Sequence, residues 1–350
     1  GYHRGGHASL QDGNKLRALT LKRGYMATLA VAKQTAKVVG ETNDYDTGKV
    51  PFWGILHSKV FVAVEQDLSL ELDDDLAGKV NFISVQPWRW VSKKGNCTHN
   101  QQVSEMQGDW SYNWGLGAEI ERQPEYSPMM FGKGRIARND LWEVFTDMGD
   151  GYRGSLTHLM GFNEPDHKAQ SNMTVADAIA GWPRFLETGA RLVSPSVTQG
   201  GHKHWLASFY QECNDSAYRV DAMGIHWYDW GGWRKDQDPN ADPVAIFERF
   251  KVYLAARHRE YQRPLWITEF NANKNRNHWV HEEFLKRALP YLDSLPYVER
   301  YAFFEPFGGL ADFFDPDGRL TPVGKVYRNH QSVPSIKDLY TLEGTEMDIK

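Results

Sequence analysis

Short apolar runs alternate along most of the chain with segments that have a helical repeat. Eight runs have the composition of strands: KVNFISVQP (79–87), DWSYNWG (109–115), YSPMMFG (126–132), HLMGFNEP (158–165), RLVSPSV (191–197), AMGIHWY (222–228), PLWITEFN (264–271) and RYAFFEPF (300–307). In the segments between them, such as 174–189, 242–262 and 279–295, apolar residues recur every three or four positions, which is the helical period. This alternation predicts parallel β-α-β units.

Eight such strands in about 250 residues predict an α/β fold of the (β/α)8 TIM barrel type. The segment between the second and third strands is too short for a full helix, so one helix should be reduced. An open doubly wound sheet is the alternative. That fold usually carries a glycine-rich phosphate-binding turn after its first strand, and QPWRWVSKKG (86–95) contains no such turn.

Residues 1–78 do not follow this repeat. Segments 15–31 and 58–72 have the composition of strands, and the polar stretch 40–54 between them resembles a loop. We therefore expect an N-terminal β-rich extension over residues 1–78, packed on a barrel of residues 79–335. Residues 336–350 would form a C-terminal tail, either as a final strand or as a loose end.

The charge balance and the apolar pattern exclude two classes of protein. The net charge of −5 argues against a general nucleic-acid binder, which usually has a basic surplus. No apolar run approaches the ~20 residues that cross a bilayer, so we expect no membrane span. Cys97 and Cys213 lack the spacing of a structural zinc site; they are expected to be unpaired thiols, with a single bridge between them as the alternative.

Aromatic residues are abundant, with 13 Trp, 16 Tyr and 17 Phe. Many tryptophans lie in segments with the composition of loops, namely Trp88, Trp90, Trp114, Trp205, Trp230, Trp233 and Trp279. Aromatic side chains beside polar residues stack on flat ligands, such as nucleobases or the apolar face of a sugar ring. Because the chain is acidic overall, the pattern favours a sugar.

Two glutamates end strand-like runs that are about a hundred residues apart. Glu164 ends the fourth predicted strand and Glu269 the seventh. Catalytic groups of a (β/α)8 barrel lie at the carboxyl ends of its strands, so both side chains can face one cleft. A single strand-end glutamate is often a helix cap or an ion-pair partner. Two of them on these strands favour glycoside hydrolysis, which uses a pair of carboxyl groups.

The motifs GFNEPD, GIHWYDW and LWITEFN, in this order, resemble those of glycoside hydrolase family 128. The resemblance covers about residues 79–330 and includes WSYNWG (110–115) and the closing GRLTPVGKVYRNH (318–330). It implies a retaining endo-acting enzyme that needs no cofactor or metal and cleaves a polysaccharide, a laminarin-type β-1,3-glucan. We also expect a monomer that is secreted, periplasmic or at the cell surface, with its signal peptide removed.

The resemblance also assigns roles to residues around the two carboxylates. Glu164 matches the acid/base, and Asn163 matches the amide that contacts the sugar 2-hydroxyl. Glu269 matches the nucleophile. His226 and Tyr228 match a pair that lines the cleft, where the Tyr228 hydroxyl would hold Glu269 ionised and oriented.

Five further residues are predicted to bind substrate or to support the site. Asn113 and Trp114 would lie beside the sugar at subsite −1, and Glu305 would support the site from the end of the eighth strand. Trp90 and Trp205 would offer stacking surfaces. Core packing is the alternative for each tryptophan, and a structural carboxylate is the alternative for Glu305.

Several predicted loops on the active face carry cations. Lys274, Arg276 and His278 follow the seventh strand, and QGGHKHW (199–205), WGGWRKDQ (230–237) and PWRWVSKKG (87–95) follow three others. An ordinary solvated face explains any one loop. Four together favour an anionic polymer, a sulfated algal galactan of carrageenan, porphyran or agar type, because Arg and Lys bind sulfate and carboxylate.

Two other classes of function can be weighed on the same residues. A non-catalytic carbohydrate-binding barrel would be expected to lack one of the two glutamates, and both are present. A metal-dependent hydrolase would need His or Asp clusters at strand ends, and SVQPWRW (84–90) has none.

Overall fold

The computed structural model describes residues 6–9, 15–33, 54–98, 105–117, 125–134, 157–230, 238–306 and 309–336. The strands in these ranges are β1 (Gly6–Ser9), β2 (Ala18–Leu21), β3 (Tyr25–Ala32), β4 (Ile55–Ala63), β5 (Leu68–Glu71), β6 (Phe82–Pro87), β7 (Lys94–Cys97), β8 (Trp110–Tyr112), β9 (Glu125–Tyr126), β10 (His158–Met160), β11 (Arg191–Val193), β12 (Met223–Trp227), β13 (Leu265–Phe270) and β14 (Val298–Phe304). The α-helices are α1 (Val175–Leu186), α2 (Trp205–Asp215), α3 (Pro243–Tyr261), α4 (His278–Ser294) and α5 (Pro322–Asn329).

Strands β7 to β14 close into a barrel. Six of them form a parallel sheet in the order β12-β13-β14-β7-β8-β9, and β10 pairs with β11 in parallel. Parallel bridges complete the circle: Met129 to Met160 joins β10 to the chain after β9, and Val193 to Ala222 joins β11 to β12. The predicted (β/α)8 barrel is confirmed.

The first barrel strand is not the predicted one. Residues 79–87 were expected to start the barrel, but β6 within them pairs antiparallel with β1 and β3 in a separate sheet of order β1-β6-β3-β4. The barrel begins instead at β7, whose sequence KGNC has almost no apolar character. The other seven predicted runs overlap the remaining barrel strands in the predicted order.

Strand β7 tolerates its polar sequence because two buried lysines bind helix ends. The ammonium groups of Lys93 and Lys94 each lie 2.7–3.4 Å from three carbonyl oxygens. The acceptors are Leu292, Asp293 and Leu295 for Lys93, and Tyr327, Arg328 and His330 for Lys94. These carbonyls end α4 and α5, where a helix carries partial negative charge and lacks intrahelical donors. Burial lowers the pKa of Lys94 to about 8.

The amino-terminal end of the barrel is closed by a buried group of charges, here called the barrel floor: Glu125, His158, Arg191, Glu299 and Arg300. Arg191 donates to Glu299 at 2.9 Å, and Arg300 donates to Glu125 at 2.9 Å. Nδ1 of His158 lies 2.8 Å from Glu125, and its Nε2 lies 3.0 Å from Nη1 of Arg191. Burial raises the pKa values of both glutamates, but the arginines and His158 outweigh it and lower both pKa values.

The N-terminal extension shares contacts and core with the barrel. The Thr28 hydroxyl of β3 donates to the Gly189 carbonyl at 2.5 Å, and Arg219 donates to the Ser58 hydroxyl of β4 at 3.2 Å. Phe82 belongs to the same hydrophobic cluster as the barrel helices. The division at residues 78 and 79 stays a prediction, and β6 favours a boundary nearer to β7.

Three smaller expectations concern the tail, the cysteines and the membrane. The predicted tail 336–350 lies outside the described residues except for Ile336. Cys97 and Cys213 are both free and buried, which confirms the unpaired thiols. Within the described parts of the chain, no helix is long and apolar enough to span a bilayer.

We predict that Lys94→Met destabilises the protein by about 1–3 kcal/mol, because it leaves three buried carbonyl oxygens at the end of α5 without their donor. Urea unfolding followed by circular dichroism measures the change. Lys325→Met, at an exposed position on the same helix, is the control and should unfold at the wild-type midpoint. Equal midpoints for the two variants would contradict the capping role.

Candidate active site

Both candidate carboxylates lie at the carboxyl ends of barrel strands and face one cleft. Glu164 follows β10, where its N–H donates to the Ser196 carbonyl at 2.7 Å, and its φ is +39°. Glu269 lies near the end of β13. The cleft has a volume of about 930 Å³. Its lining residues are Glu164, His167, Gln170, Thr198, Gln199, Gly200, His202, Lys203, Tyr228, Trp230, Glu269, Asn271, Lys274, Phe304 and Pro306.

Glu269 is buried and held by hydrogen-bond donors on both oxygens. The Trp114 indole donates to Oε1 at 2.8 Å, and the Tyr228 hydroxyl donates to Oε2. Burial, followed by the negative charge of Glu269, raises the pKa of Tyr228 well above its ordinary value, so the phenol keeps its proton. Donors at both oxygens fix the orientation of the Glu269 carboxylate.

His226 lies between the two carboxylates and is fully buried. Its Nδ1 is 2.9 Å from Oε1 of Glu164 and 3.4 Å from Oε2 of Glu269. One oxygen of each glutamate and one ring nitrogen of His226 lie within 4.8 Å of one another. Burial lowers the pKa of His226, but Glu269 and Glu164 together outweigh it and raise that pKa.

Glu164 is the more accessible carboxylate, with 14% of its side chain exposed against 7% for Glu269. Burial raises the pKa of Glu164, but the hydrogen bond and charge of His226 outweigh burial, so the pKa lies below its ordinary value. A proton on His226 therefore stabilises the ionised form of Glu164. The protonation states of these three groups therefore depend on one another.

Among the described residues, Glu164, His226 and Glu269 are also the one group of three His, Cys, Asp or Glu side chains close enough to share a metal ion. Glu269, however, accepts a hydrogen bond on each oxygen from Trp114 and Tyr228. Donors directed at both oxygens suit an anionic carboxylate more than a metal ligand. A metal ion at Glu269 would have to compete with these two donors.

Asn163 lies beside Glu164 and has an unused polar atom. Its amide nitrogen donates to Gln170 at 3.2 Å, while its buried Oδ1 has no hydrogen-bond partner. Gln170 also lines the cleft. Unpartnered buried polar atoms are uncommon, and this one is available to a hydroxyl donor of a ligand.

Asn113, Trp205 and Trp90 are among the predicted contact residues that do not line the cleft. The Asn113 side chain accepts from Tyr126 and the Gly115 N–H and donates to the Gly117 carbonyl, so it organises the chain after β8. The Trp205 indole donates to a backbone carbonyl and its ring stacks on Phe209. Trp90 precedes β7 and packs at Gly24 in the N-terminal sheet.

The displacement of the first strand also moves the cations of segment 87–95. Lys93 and Lys94 bind helix ends, as described above. Arg276, expected to meet an anionic polymer, is fully buried and donates to Asp229 at 3.3 Å and to the Asp238 carbonyl at 2.7 Å. Residues 231–237 of another predicted cationic loop lie outside the described residues. Lys203 and Lys274 remain as exposed cations on the cleft wall.

Other cleft residues were not assigned a role from the sequence. Trp230 is half exposed in the cleft and was noted only as one of many loop tryptophans. Phe304, at the end of β14, packs edge to face on Trp114 and Tyr228. Gln199 and Thr198 follow β11 and carry no sequence signal that separates them from ordinary loop residues. Their position in the cleft is evident only from the fold.

Glu305 lies just after β14 and is buried but outside the cleft lining. Its Oε1 accepts from the Phe313 N–H at 2.7 Å, and its Oε2 has no partner. Burial raises the pKa of Glu305 to about 7, with a further contribution from Asp312, against the lowering effect of the Phe313 N–H. It supports the chain after β14 and is partly protonated near neutral pH.

Comparisons with known proteins agree with this geometry. A family model described as glycosyl hydrolase catalytic core matches residues 88–327. A family 128 subgroup I endo-β-1,3-glucanase from Amycolatopsis mediterranei, solved with laminaritriose, is 26% identical, with a TM-score of 0.57 over 68% of this chain and 98% of that chain. A subgroup II endo-β-1,3-glucanase from Sorangium cellulosum is 27% identical, with a TM-score of 0.55 over 69% and 99%.

A third solved structure has a different mode of action. This family 128 subgroup III enzyme from Blastomyces gilchristii is a curdlan-specific exo-β-1,3-glucanase, solved with glucose. It is 28% identical to this chain, with a TM-score of 0.54 over 68% of this chain and 98% of its own. The search of curated proteins found no match.

We predict that Glu305→Gln stabilises the protein at pH 8 and changes little at pH 4. The folded-state pKa of about 7 exceeds the ordinary 4.5, so the folded state binds more protons between these values, and stability is lost as the pH rises through that window. Removing the titration should gain on the order of 1–3 kcal/mol at pH 8.

Thermal unfolding of wild type and variant at pH 4, 6 and 8 measures this gain. Glu212→Gln, at an exposed position on α2, is the control and should follow the wild type at each pH. A constant difference between Glu305→Gln and wild type across the series would count against titration of Glu305 in this range.

Proposed function

Because the chain belongs to the glycosyl hydrolase catalytic core family and to glycoside hydrolase family 128, we propose that it is an endo-acting β-1,3-glucanase that retains anomeric configuration. The solved enzymes to which it is similar are β-1,3-glucanases, and the subgroup I enzyme binds laminari-oligosaccharides. Subgroups I and II act in the endo mode, which supports the same mode here.

The observation that carries the mechanism is the closeness of the two carboxylates. Oxygens of Glu164 and Glu269 lie within 4.8 Å of each other across His226. Carboxyl groups of retaining glycosidases are about 5–5.5 Å apart, and those of inverting enzymes are about 6.5–9.5 Å apart to admit a water. The short distance between these two oxygens supports a retaining pair.

The hydrogen bonds support a division of roles. Glu269 is the nucleophile in this proposal, because Trp114 and Tyr228 fix its orientation in the cleft. It would attack the anomeric carbon and form a glycosyl-enzyme ester. Glu164, which is more exposed, would protonate the departing glycosidic oxygen and then accept a proton from the incoming water.

His226 reconciles the low pKa of Glu164 with a role as acid. In the free protein, the raised pKa of His226 and the lowered pKa of Glu164 favour a proton on Nδ1 of His226, 2.9 Å from Glu164. A bound sugar covers the exposed part of Glu164, and this added desolvation raises its pKa. The proton can then pass to Glu164 for the first step. In the second step, His226 again stabilises ionised Glu164 as base.

We predict that the first reducing ends released from laminarin have the β configuration, as proton NMR of early products will show. Glu269→Ala should lose activity by on the order of 10⁴-fold, because the nucleophile is gone, and azide should give no retained product. With Glu164→Ala, azide should restore turnover of a β-glucoside with a good leaving group and yield a β-glycosyl azide.

An early α product would overturn the role assignment even if both residues prove essential. No turnover of any polysaccharide by the wild type would instead favour the non-catalytic carbohydrate-binding barrel. Product lengths separate the modes of action, since endo cleavage releases mixed oligosaccharides and exo cleavage releases one small sugar.

A second candidate substrate is an anionic polysaccharide, such as the sulfated algal galactan suggested by the loop cations. Lys203 and Lys274 are exposed on the cleft wall with the two catalytic carboxylates. Lysines there can pair with sulfate or carboxylate substituents. The pairing of Arg276 with Asp229 removes Arg276 from the cations available to a substrate, so the case rests on the two lysines.

Location outside the cell and a monomeric state remain predictions.

We predict that Lys203→Ala and Lys274→Ala change KM on laminarin by less than about twofold, since exposed charges contribute little to neutral ligands. On a sulfated or carboxymethylated β-1,3-glucan or a sulfated galactan, an anion-binding role would instead raise KM in both variants, and added salt would raise the wild-type KM. Lys325→Ala, on α5, is the control. Turnover of a sulfated galactan but not of laminarin would favour the second candidate.

A further inference from the structure

The three-residue segment Tyr228–Asp229–Trp230, just after β12, brings two cleft side chains into place. The Tyr228 hydroxyl donates to Glu269, and Trp230 lies half exposed on the cleft wall. Asp229 lies between them and is buried, with 1% of its surface exposed. Its φ is +50°, in the left-handed region that few residues other than glycine adopt. This turn sends the side chain of Asp229 away from the cleft.

The Asp229 carboxylate binds two arginines from other elements. Arg249 of α3 donates to both carboxylate oxygens, at 2.7 and 2.8 Å, which is the bidentate arrangement. Arg276, from the chain after β13, donates to Oδ2 at 3.3 Å and is itself fully buried. Arg276 also donates to the Asp238 carbonyl at 2.7 Å. Asp229 thus anchors the segment to a helix and to the neighbouring strand-end loop.

The backbone on each side of Asp229 is fixed from the opposite direction. Oε1 of Gln199, from the chain after β11, accepts from the Tyr228 N–H at 3.0 Å and from the Trp230 N–H at 3.2 Å. One amide oxygen therefore holds the peptide groups before and after Asp229. The carboxylate and this amide together leave the segment little freedom to rotate.

We propose that Asp229 is a positioning residue of the active site, which acts through its two neighbours. Its ion pairs with Arg249 and Arg276 hold the left-handed turn that aims Tyr228 at Glu269 and sets Trp230 as a flat wall for a sugar ring. This proposal rests on the proposed glycosidase function for its kinetic consequence. The positional consequence, the placement of Tyr228 and Trp230, holds whatever the substrate.

The test changes Arg249, because it is partly exposed and is not among the cleft-lining residues, so its loss should leave the fold intact. Arg249→Met should lower kcat/KM on laminari-oligosaccharides by on the order of 10-fold to 100-fold, since small misplacements of catalytic groups have effects of this size. Loss of Tyr228 alignment lowers kcat, and loss of the Trp230 wall raises KM.

Two further variants separate positioning from general damage. Lys251→Met, on the same helix, removes an ion pair with Glu248 and should keep wild-type kinetics. Arg249→Lys keeps one charge without the bidentate geometry and should recover part of the lost activity. Thermal midpoints of all variants establish that each is folded under the assay conditions.

A double-mutant cycle tests whether Arg249 acts through Tyr228. In a Tyr228→Phe background, Arg249→Met should lower kcat much less than in the wild type, because the hydroxyl it positions is already absent. An equal fold loss of kcat in both backgrounds would overturn the proposal.

Crystal structures of wild type and Arg249→Met provide a test that needs no activity. A Tyr228 hydroxyl displaced from Glu269 in the variant would support the proposal, and an unchanged Tyr228 and Trp230 would overturn it. Wild type without activity on β-1,3-glucans would remove the proposed substrate only, since the comparison of the two structures still decides the role of Asp229.

Discussion

The paired charges of the barrel floor are the interaction on which the active site depends. Strands β9, β10, β11 and β14 each contribute to this group at their amino-terminal ends, through Glu125, His158, Arg191, Glu299 and Arg300. Buried ion pairs add little net stability compared with apolar packing, but loss of one partner costs about 3–5 kcal/mol because it strands the other charge. We infer that the floor penalises any shift of one strand along its neighbours. The carboxyl-terminal end of the barrel, which carries the active site, is here called the mouth. Because β10 leads to Glu164, fixed strand positions at the floor also fix the distances between side chains at the mouth.

Buried charges are balanced at the barrel floor and unbalanced at the mouth. At the floor, two arginines face two glutamates, so these charges cancel. At the mouth, Glu164 and Glu269 face a single His226. Two carboxylates around one imidazole cannot all satisfy their preferred protonation states, and a proton is shared among them. The unbalanced charges at the mouth lower stability but suit acid–base chemistry. The balanced charges at the floor suit a structural role.

The sequence pattern was sufficient where apolar periodicity and chain order coincide. Seven of the eight barrel strands, and the meeting of Glu164 and Glu269, follow from strand ends, whereas the resemblance to family 128 added His226 and Tyr228. The first strand was wrong because periodicity has no signal for a lysine whose ammonium is bound by helix carbonyls, as in Lys94. That error placed the cations of segment 87–95 and Trp90 at the mouth. Likewise, no local pattern distinguishes Lys274, which is exposed, from Arg276, which is paired with Asp229 in the interior.

Of the eight non-glycine residues with positive φ in the described part of the chain, four lie at or just after strand ends on the active face. Trp114, Glu164, Asp229 and Asn273 follow or end near strands β8, β10, β12 and β13, and all four have positive φ. Each such residue costs of order 1–3 kcal/mol and persists only when its surroundings over-determine it. Here the surroundings are hydrogen bonds that the site itself uses: Trp114 to Glu269, Glu164 to His226, and Asp229 to Arg249. In an extended strand, successive side chains point to alternate sides. The left-handed turns break this alternation and direct side chains into or away from the cleft. Strain at the mouth and charge cancellation at the floor are therefore complementary, because a rigid closed base allows the strand ends to hold conformations that a looser barrel would relax.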